Sequence, residues 1–365
     1  MLKGVSMFDI KELFSGKKPL VGLDIGSSSL KLVEIEETQT GFVLNRYCQI
    51  PLLKGVIMDG VPAEQEELTA AIKEIFKQSG CRRKGIVTSL SGQSVIVKKV
   101  SLANMEETEL RDLIRDEATK YLPFDSMEGV SFDFQILGGS EFNPNLMDVL
   151  LVAAKKDIIE SYTEAVKNAG LNLSILDVDT FAIETMYEQN YDFEEDDAIV
   201  IINIGASVTN INVVKNGVSL FTRDFALGGN SVTEAIQSGL SLTFEEAEQM
   251  KIEGKGGSET TESAFRENLL AYADPLCQEI ERSVDYFRST YGGGSIKYAL
   301  LSGGGAKLLG IADALTQRLN IPTELANPFR KIGLNEKNID PSFMERIGPA
   351  AAVGVGLALR RWGDK

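Results

Sequence analysis

The sequence predicts an α/β protein made by duplicating one strand–strand–strand–helix unit, with an insertion in each copy. Three observations carry this. The stretches "PLVGLDIGSSSLKLVEI" (19–35) and "AIVIINIGASVTNINVV" (198–214) share one layout: an apolar strand, a tight turn of Gly and small polar residues, then a second apolar strand. The elements that follow each stretch recur in the same order, at a spacing of about 180 residues. A third glycine turn, Gly303-Gly304-Gly305, follows an apolar strand and opens a helix.

The first ~18 residues, "MLKGVSMFDIKELFSGKK", stand apart. Phe8, Ile10, Leu13 and Phe14 can share one side of a short helix among lysines. Two readings stand: a tail that packs on the domain or is partly disordered, and a weak membrane or partner contact. Strands are predicted over 19–26, 30–37 and 41–50. A helix over 63–79 follows, with Leu68, Ala71, Ile72, Ile75 and Phe76 on one face and Gly80 as its stop. The strand "GIVTSL" completes the first copy. An insertion over 91–173 reads strand (94–102), helix (106–122), strand (130–137), strand (147–154) and helix (156–169). Its first helix has an apolar stripe of Leu110, Leu113, Ile114, Ala118 and Tyr121, and ends before Pro123.

The second copy has strands at 198–204, 208–215 and 218–225, with Asn216-Gly217 as a hairpin turn, and a helix from Gly229 to about Ser238. A helical insertion spans 241–295. It contains "LTFEEAEQMKIEG", the polar loop "GKGGSETTES" (254–263) and a long helix over 264–290. The copy resumes with "KYALLSGGGAKLLGIADALTQRLNIPTELAN" as strand, glycine turn, helix and strand.

Composition narrows the function. Of 365 residues, 43% are hydrophobic and 25% charged, as in ordinary globular proteins. The net charge of −16 argues against a general nucleic-acid binder, which needs a concentrated basic surface. With no histidine, histidine triads and histidine metal sites are excluded. Cys48, Cys81 and Cys277 lack CxxC spacing, so neither a zinc site nor a disulfide framework is expected. No run of about 18 apolar residues is present, and the N-terminus has no continuous apolar region, so a cytoplasmic protein is expected.

The turns carry the chemistry. Gly26 permits close approach of an anion to backbone N–H groups, and Ser27, Ser28 and Ser29 add hydroxyl donors. Lys31 supplies a positive charge. Asp24 would not touch phosphate but would face a magnesium ion, usually through water, because Mg²⁺ keeps much of its hydration shell. Two such turns facing each other would hold a polyphosphate from both sides. Where the first turn has Asp24 the second has Asn203, which hydrogen-bonds but brings neither charge nor basicity. A slow ATPase that tolerates Asn203, a nucleotide binder with very slow or absent hydrolysis, and a compensating carboxylate elsewhere all stand; the second is the expectation.

The pattern resembles the superfamily of actin, Hsp70 and sugar-kinase ATPases. "LDIGSSSLK" looks like its first phosphate motif, "INIGASVTN" its second, and "LLSGGGAKL" its adenosine motif; "LDVDTFAIETMYE" and "IGPAAAVGVGLALR" resemble its two connecting helices. "AEQMK" is similar to the segment whose Glu and Lys contact the nucleoside in FtsA-like and MreB-like members. The resemblance thus implies an actin-like ATPase fold: duplicated RNase H-like domains, a 1C-type inserted subdomain and a helical 2B insertion. It implies nucleotide contacts from Asp24, Gly26, Ser27, Ser28, Ser29 and Lys31. From the second half it implies Asn203, Gly205, Ala206, Ser207, Thr209, Asn210, Gly228, Gly229, Glu248, Lys251, Gly303, Gly304, Gly305 and Lys307. The ligand would be ATP or ADP with Mg²⁺, the metal reached from Asp24. Asp177 sits where relatives often place a water-positioning Glu or Gln, and Asp179 is a candidate N-cap for the following helix. The implied division is a tail (1–18), subdomain 1A (19–90, with 174–195 and the helix 346–361), 1C (91–173), 2A (196–240 and 296–345) and 2B (241–295).

Within the superfamily, the early insertion is shared by FtsA and PilM. "VGLDIGSSSLKLVE", "LLKGVIMDG", "DEATKYLPFD", "VLLVAAKKDIIESYTEAVKNAGL" and "DVDTFAIE" are most similar to the PilM family of type IV pilus assembly. The ending "LALRRWGDK", without the linker and amphipathic helix of FtsA, favours that family over an FtsA-like membrane-associated division scaffold. Membership implies a cytoplasmic scaffold at the inner face of the cytoplasmic membrane. Its partner would be the N-terminal cytoplasmic peptide of PilN, held in a groove between 1A and 1C; Leu122 and Phe124 lie in the right subdomain, with core packing the alternative role for them. PilO and the pilus motors would be reached indirectly; self-association stays open.

Overall fold

A computed structural model describes residues 20–361 except 125, 141–142, 193–196, 255–264, 266–267 and 292–294. The N-terminal tail and nearly all of the loop "GKGGSETTES" lie outside the described residues.

The first copy builds a six-stranded sheet from β1 (Val21–Ile25), β2 (Ser29–Thr38) and β3 (Gly41–Pro51), followed by the short ribbon β4 (Ile57–Met58) and β5 (Val61–Pro62) and by helix α1 (Gln65–Ser79). β6 (Gly85–Leu90) runs parallel to β1. The start of α1 gathers Glu66 and Glu67, and Gly80 ends it in a left-handed conformation, as expected of a glycine stop.

The inserted unit holds β7 (Val95–Ala103), α2 (Glu107–Tyr121), β8 (Val130–Gly139) and β9 (Leu146–Lys155), with sheet order β7-β9-β8 and its own core around Leu110, Val149 and Leu151. Leu122 is buried in that core and Phe124 packs on it. The unit is smaller than 91–173. Helix α3 (Lys156–Asn168) buries Ile159, Tyr162, Ala165 and Val166 against α1, inside the core of the first copy. Its apolar face thus packs with the first sheet rather than with the three-stranded one. β10 (Asn172–Val178) then joins that sheet beside β6.

Helix α4 (Asp179–Asn190) leads to the second copy: β11 (Ala198–Ile204), β12 (Thr209–Lys215), β13 (Val218–Phe225) and α5 (Gly229–Leu240). Helix α6 (Phe244–Glu253) starts at a capping box between Thr243 and Glu246. The long helix expected over 264–290 is interrupted at Ala273. Helix α7 (Asp274–Thr290) restarts there with Pro275 in its first turn, where the missing N–H costs nothing. β14 (Ile296–Ser302), α8 (Ile311–Leu319) and β15 (Thr323–Leu325) close a five-stranded sheet, β13-β12-β11-β14-β15. β16 (Ile332–Leu334) crosses back to pair with β3, so this part of 296–345 belongs to the first sheet. Helix α9 (Pro341–Ile347) and helix α10 (Ala352–Leu359) end the described chain.

α4 and α10 lie between the two sheets. One core joins Val33, Leu44 and Val87 of the first sheet to Ile199, Ile201 and Leu300 of the second through Ala182, Met186 and Val355. The composition of "AVGVGLAL" permits this. A Cβ on Gly356 would lie 1.7 Å from the Ala182 carbonyl oxygen, so only glycine allows the two helices to touch here. The two sheets thereby share one packed core, with their Gly-Ser turns lining a common cleft.

Candidate functional site

The two turns are built alike. Gly26 N–H donates to the Ser29 carbonyl at 3.2 Å; Gly205 N–H donates to the Val208 carbonyl at 2.9 Å. In register, Asp24 faces Lys31 across β1–β2, and Asn203 faces Asn210 across β11–β12. Between them lies a cleft of about 360 Å³. Asp24, Gly26, Ser27, Ser28, Ser29 and Lys31 line one wall; Asn203, Gly205, Ala206, Ser207 and Asn210 line the other. The third turn packs on the second so closely that a Cβ on Gly303 would lie 2.3 Å from the Ile204 carbonyl oxygen. Gly303, Gly304, Gly305 and Lys307 therefore border the same cleft, as do Gly229, Glu248 and Lys251.

Three expected residues do not line it. Thr209 is buried, its hydroxyl donating to the Leu227 carbonyl at 2.7 Å. Gly228 packs its backbone on Gly205 and Ala206. Asp177 is clamped by Arg360, with Nε–Oδ2 2.6 Å and Nη2–Oδ1 3.2 Å. Two residues on, Asp179 lines the cleft instead, accepting from the Ser89 hydroxyl at 2.5 Å. Strand alternation separates 177 from 178, and the turn into α4 then swings 179 to the cleft. Asp179 is the first residue of α4 and does not cap it by side chain.

The electrostatics are unequal between walls. Asp24 and Lys31 form an ion pair at 2.8 Å, with side chains 9% and 13% exposed. Asn203 instead donates from Nδ2 to Asn210 Oδ1 at 2.9 Å and accepts from the Ser302 hydroxyl at 3.3 Å. Asn210 Nδ2 is buried without a hydrogen-bond partner of ordinary geometry; the Asp224 carboxylate across β12–β13 is the anion it favours. Burial, and next the charge of Asp24, push the Asp179 carboxyl up to about 7. At the far end, Lys251 donates to the Gly229 carbonyl at 2.9 Å, to Thr233 at 2.8 Å and to Glu248 at 2.6 Å. Burial lowers its pKa, opposed by Glu248.

Among the described residues no cluster of three or more acidic or cysteine side chains is arranged to hold a metal. A divalent cation here would rest on Asp24, water and ligand oxygens. That suits Mg²⁺, which prefers its hydration shell to an all-protein cage.

Asn230, absent from the sequence reading, ties α5 to the second turn: its N–H donates to the Ala206 carbonyl at 2.7 Å and its Nδ2 to the Ser207 hydroxyl at 3.2 Å. On the open side, Lys54 bridges the walls, reaching Glu234 at 3.4 Å and lying over the Phe244 ring at 4.2 Å.

A family model described as type IV pilus assembly protein PilM matches residues 22–362. The chain belongs to the PilM family. A solved PilM–PilN type IV pilus biogenesis complex matches with a TM-score of 0.82 and 30% identity, covering 94% of this chain and 99% of that one. MreB5 of Spiroplasma citri bound to AMPPNP matches with a TM-score of 0.53 at 12% identity, covering 94% of this chain and 95% of its own, which establishes the actin-like fold. Two cell division proteins FtsA are more distant in sequence. The Enterococcus hirae protein is 23% identical over 352 residues (84% of this chain, 78% of its own length), and the Pseudomonas aeruginosa protein 22% over 375 (91% and 88%). This PilM family member has no helix among its described residues long and apolar enough to cross a membrane.

Proposed function

We propose that this PilM family member is a nucleotide-loaded scaffold: it holds Mg-ATP, or ADP, between its two domains, and a PilN N-terminal peptide beside the inserted unit. The observation that carries the nucleotide reading is the pair of like turns, one bearing the Asp24–Lys31 ion pair, facing across one cleft. Turn N–H groups and serine hydroxyls suit phosphate oxygens, Lys31 adds charge, and Asp24 receives the hydrated cation. The Glu248–Lys251–Thr233 network and the third glycine turn border the remaining volume, where a nucleoside fits. Magnesium would supply charge neutralisation of the phosphates.

Turnover is expected to be very slow or absent. Asn203 offers no proton acceptor, so the second turn has no carboxylate to take a proton from an attacking water; the other carboxyl in the cleft wall, Asp179, is already engaged by the Ser89 hydroxyl. Asp177, committed to Arg360, has no such freedom. The matching solved complex contains PilN, which supports a PilN peptide as partner. Recruitment to the inner face of the cytoplasmic membrane, beside PilO and the motors, would follow from that peptide rather than from lipid contact. The division-scaffold alternative has only the more distant FtsA likeness behind it.

The test is fluorescence anisotropy of a labelled N-terminal peptide of the cognate PilN against the full chain, with a scrambled peptide alongside. Saturable binding of the native peptide alone is expected; equal binding of both would overturn the partner assignment.

A further inference from the structure

We propose that the turn Ser91–Val95 transmits nucleotide occupancy to the inserted unit, with the Asp224–Gly92 hydrogen bond as its latch; this rests on the nucleotide reading above. Ser91 is part of the cleft wall, Gly92–Ser94 is a single 3-10 turn, and Val95 begins β7, the first strand of the inserted unit. No slack separates the cleft from that unit.

The turn is gripped from both sides. Within the turn, the Ser94 hydroxyl donates to the Ser91 carbonyl at 2.6 Å, and the first copy grips it through Gly60. Gly60 packs so tightly that a Cβ there would lie 2.5 Å from that same oxygen, and the Tyr162 hydroxyl fixes the Gly60 carbonyl at 3.0 Å. From the second copy, Asp224 Oδ2 accepts the Gly92 N–H at 3.0 Å. A Cβ on Gly92, whose φ is +60°, would lie 3.1 Å from Val208, the residue directly after the Gly205–Ser207 phosphate turn. Behind the turn is a second cavity of about 260 Å³ bounded by Val95–Val97 of β7 and by Thr222–Phe225 of β13 with Ala226 just past its end. Both strands are sheet edges, β7 pairing with β9 and β13 with β12.

Movement of the second phosphate turn onto a ligand carries Val208 and, through β12–β13, Asp224. Packed contacts respond in discrete steps, so the turn must follow or the latch must break. The cavity leaves β13 room to approach β7. The inserted unit therefore feels the ligand although its own strands do not touch it, and by linkage a partner bound there changes nucleotide affinity by the same factor.

Hydrogen–deuterium exchange of the full chain with and without Mg-ATP tests this. In wild type, peptides covering 24–31 and 203–210 should slow, and those covering β7 should slow about fivefold or more. In Asp224→Ala the cleft peptides should still slow while the β7 response is lost; Asp224→Asn, which keeps an acceptor oxygen, should restore it. A β7 response unchanged in Asp224→Ala, or absent in wild type while the cleft responds, overturns the latch. Absence of any response in the cleft overturns the nucleotide reading, and the latch with it.

Discussion

Replacing Asp24 by Asn isolates the ion pair that defines the first turn. At the observed 2.8 Å, two unit charges at an effective dielectric constant of 20 attract by about 6 kcal/mol before desolvation is counted. Removing one member of such a buried pair typically costs about 3–5 kcal/mol. The pair borders an open cleft and Asn keeps an acceptor oxygen, so the lower end, about 3 kcal/mol, applies. At about 2.1 cal/mol/K per residue the whole chain has an unfolding entropy near 0.77 kcal/mol/K, giving a fall in Tm of about 4 °C by scanning calorimetry. The ligand should respond in the opposite sense. Lys31, no longer paired, is free for phosphate, so ATP with EDTA binds no more weakly than to wild type. The gain in affinity from Mg²⁺ should fall about tenfold, the equivalent of one charge-assisted hydrogen bond to the hydrated ion. A Tm within 1 °C of wild type, or a Mg²⁺ gain left intact, would refute the reasoning.

Other outcomes follow from the same geometry. Asn203→Asp adds a second acid and should raise phosphate release at least tenfold; the Ser302 hydroxyl that donates to Asn203 can donate to the new carboxylate, and Asn210 can flip its amide to present Nδ2 to it, so the variant should fold. Asp179→Asn should lower any residual release with little change in Tm, whereas Asp177→Asn should lower Tm by removing the carboxylate charge that pairs with Arg360 and leave release per folded molecule unchanged. Glu184 accepts from Asn212 at 3.1 Å across the two copies, and burial pushes its carboxyl up from 4.5 to about 7. The unfolded chain loses that proton near pH 4.5 and the folded chain only near 7, so its stability contribution is full below pH 4.5 and is lost as pH rises to 7. Glu184→Gln should flatten that part of the Tm-against-pH curve. Gly356→Ala, with its Cβ driven onto the Ala182 carbonyl, should cost about 3 kcal/mol in urea unfolding.

Much of this was legible from periodicity. The strand pairs around both turns fall within a residue or two of their predicted bounds, because short apolar runs bounded by glycine turns are local signals. The two Gly-Ser turns and the third glycine turn line one cleft. Tertiary placement was not legible. Helix α3 reads as part of the insertion by position, yet its apolar face is covered by α1. The pitch at the β10–α4 junction decides that Asp179 rather than Asp177 reaches the cleft, and a two-residue shift lies beyond what spacing can resolve. The latch between Gly92 and Asp224 joins residues 132 apart with no motif to mark either.

The most direct test of the central claim is isothermal titration of the full chain with Mg-ATP. One site per chain, weakened by Asp24→Asn and by a bulky residue at Gly205, is the result predicted by a cleft held from both turns. Heat of binding indistinguishable from buffer, or binding indifferent to both substitutions, would contradict it.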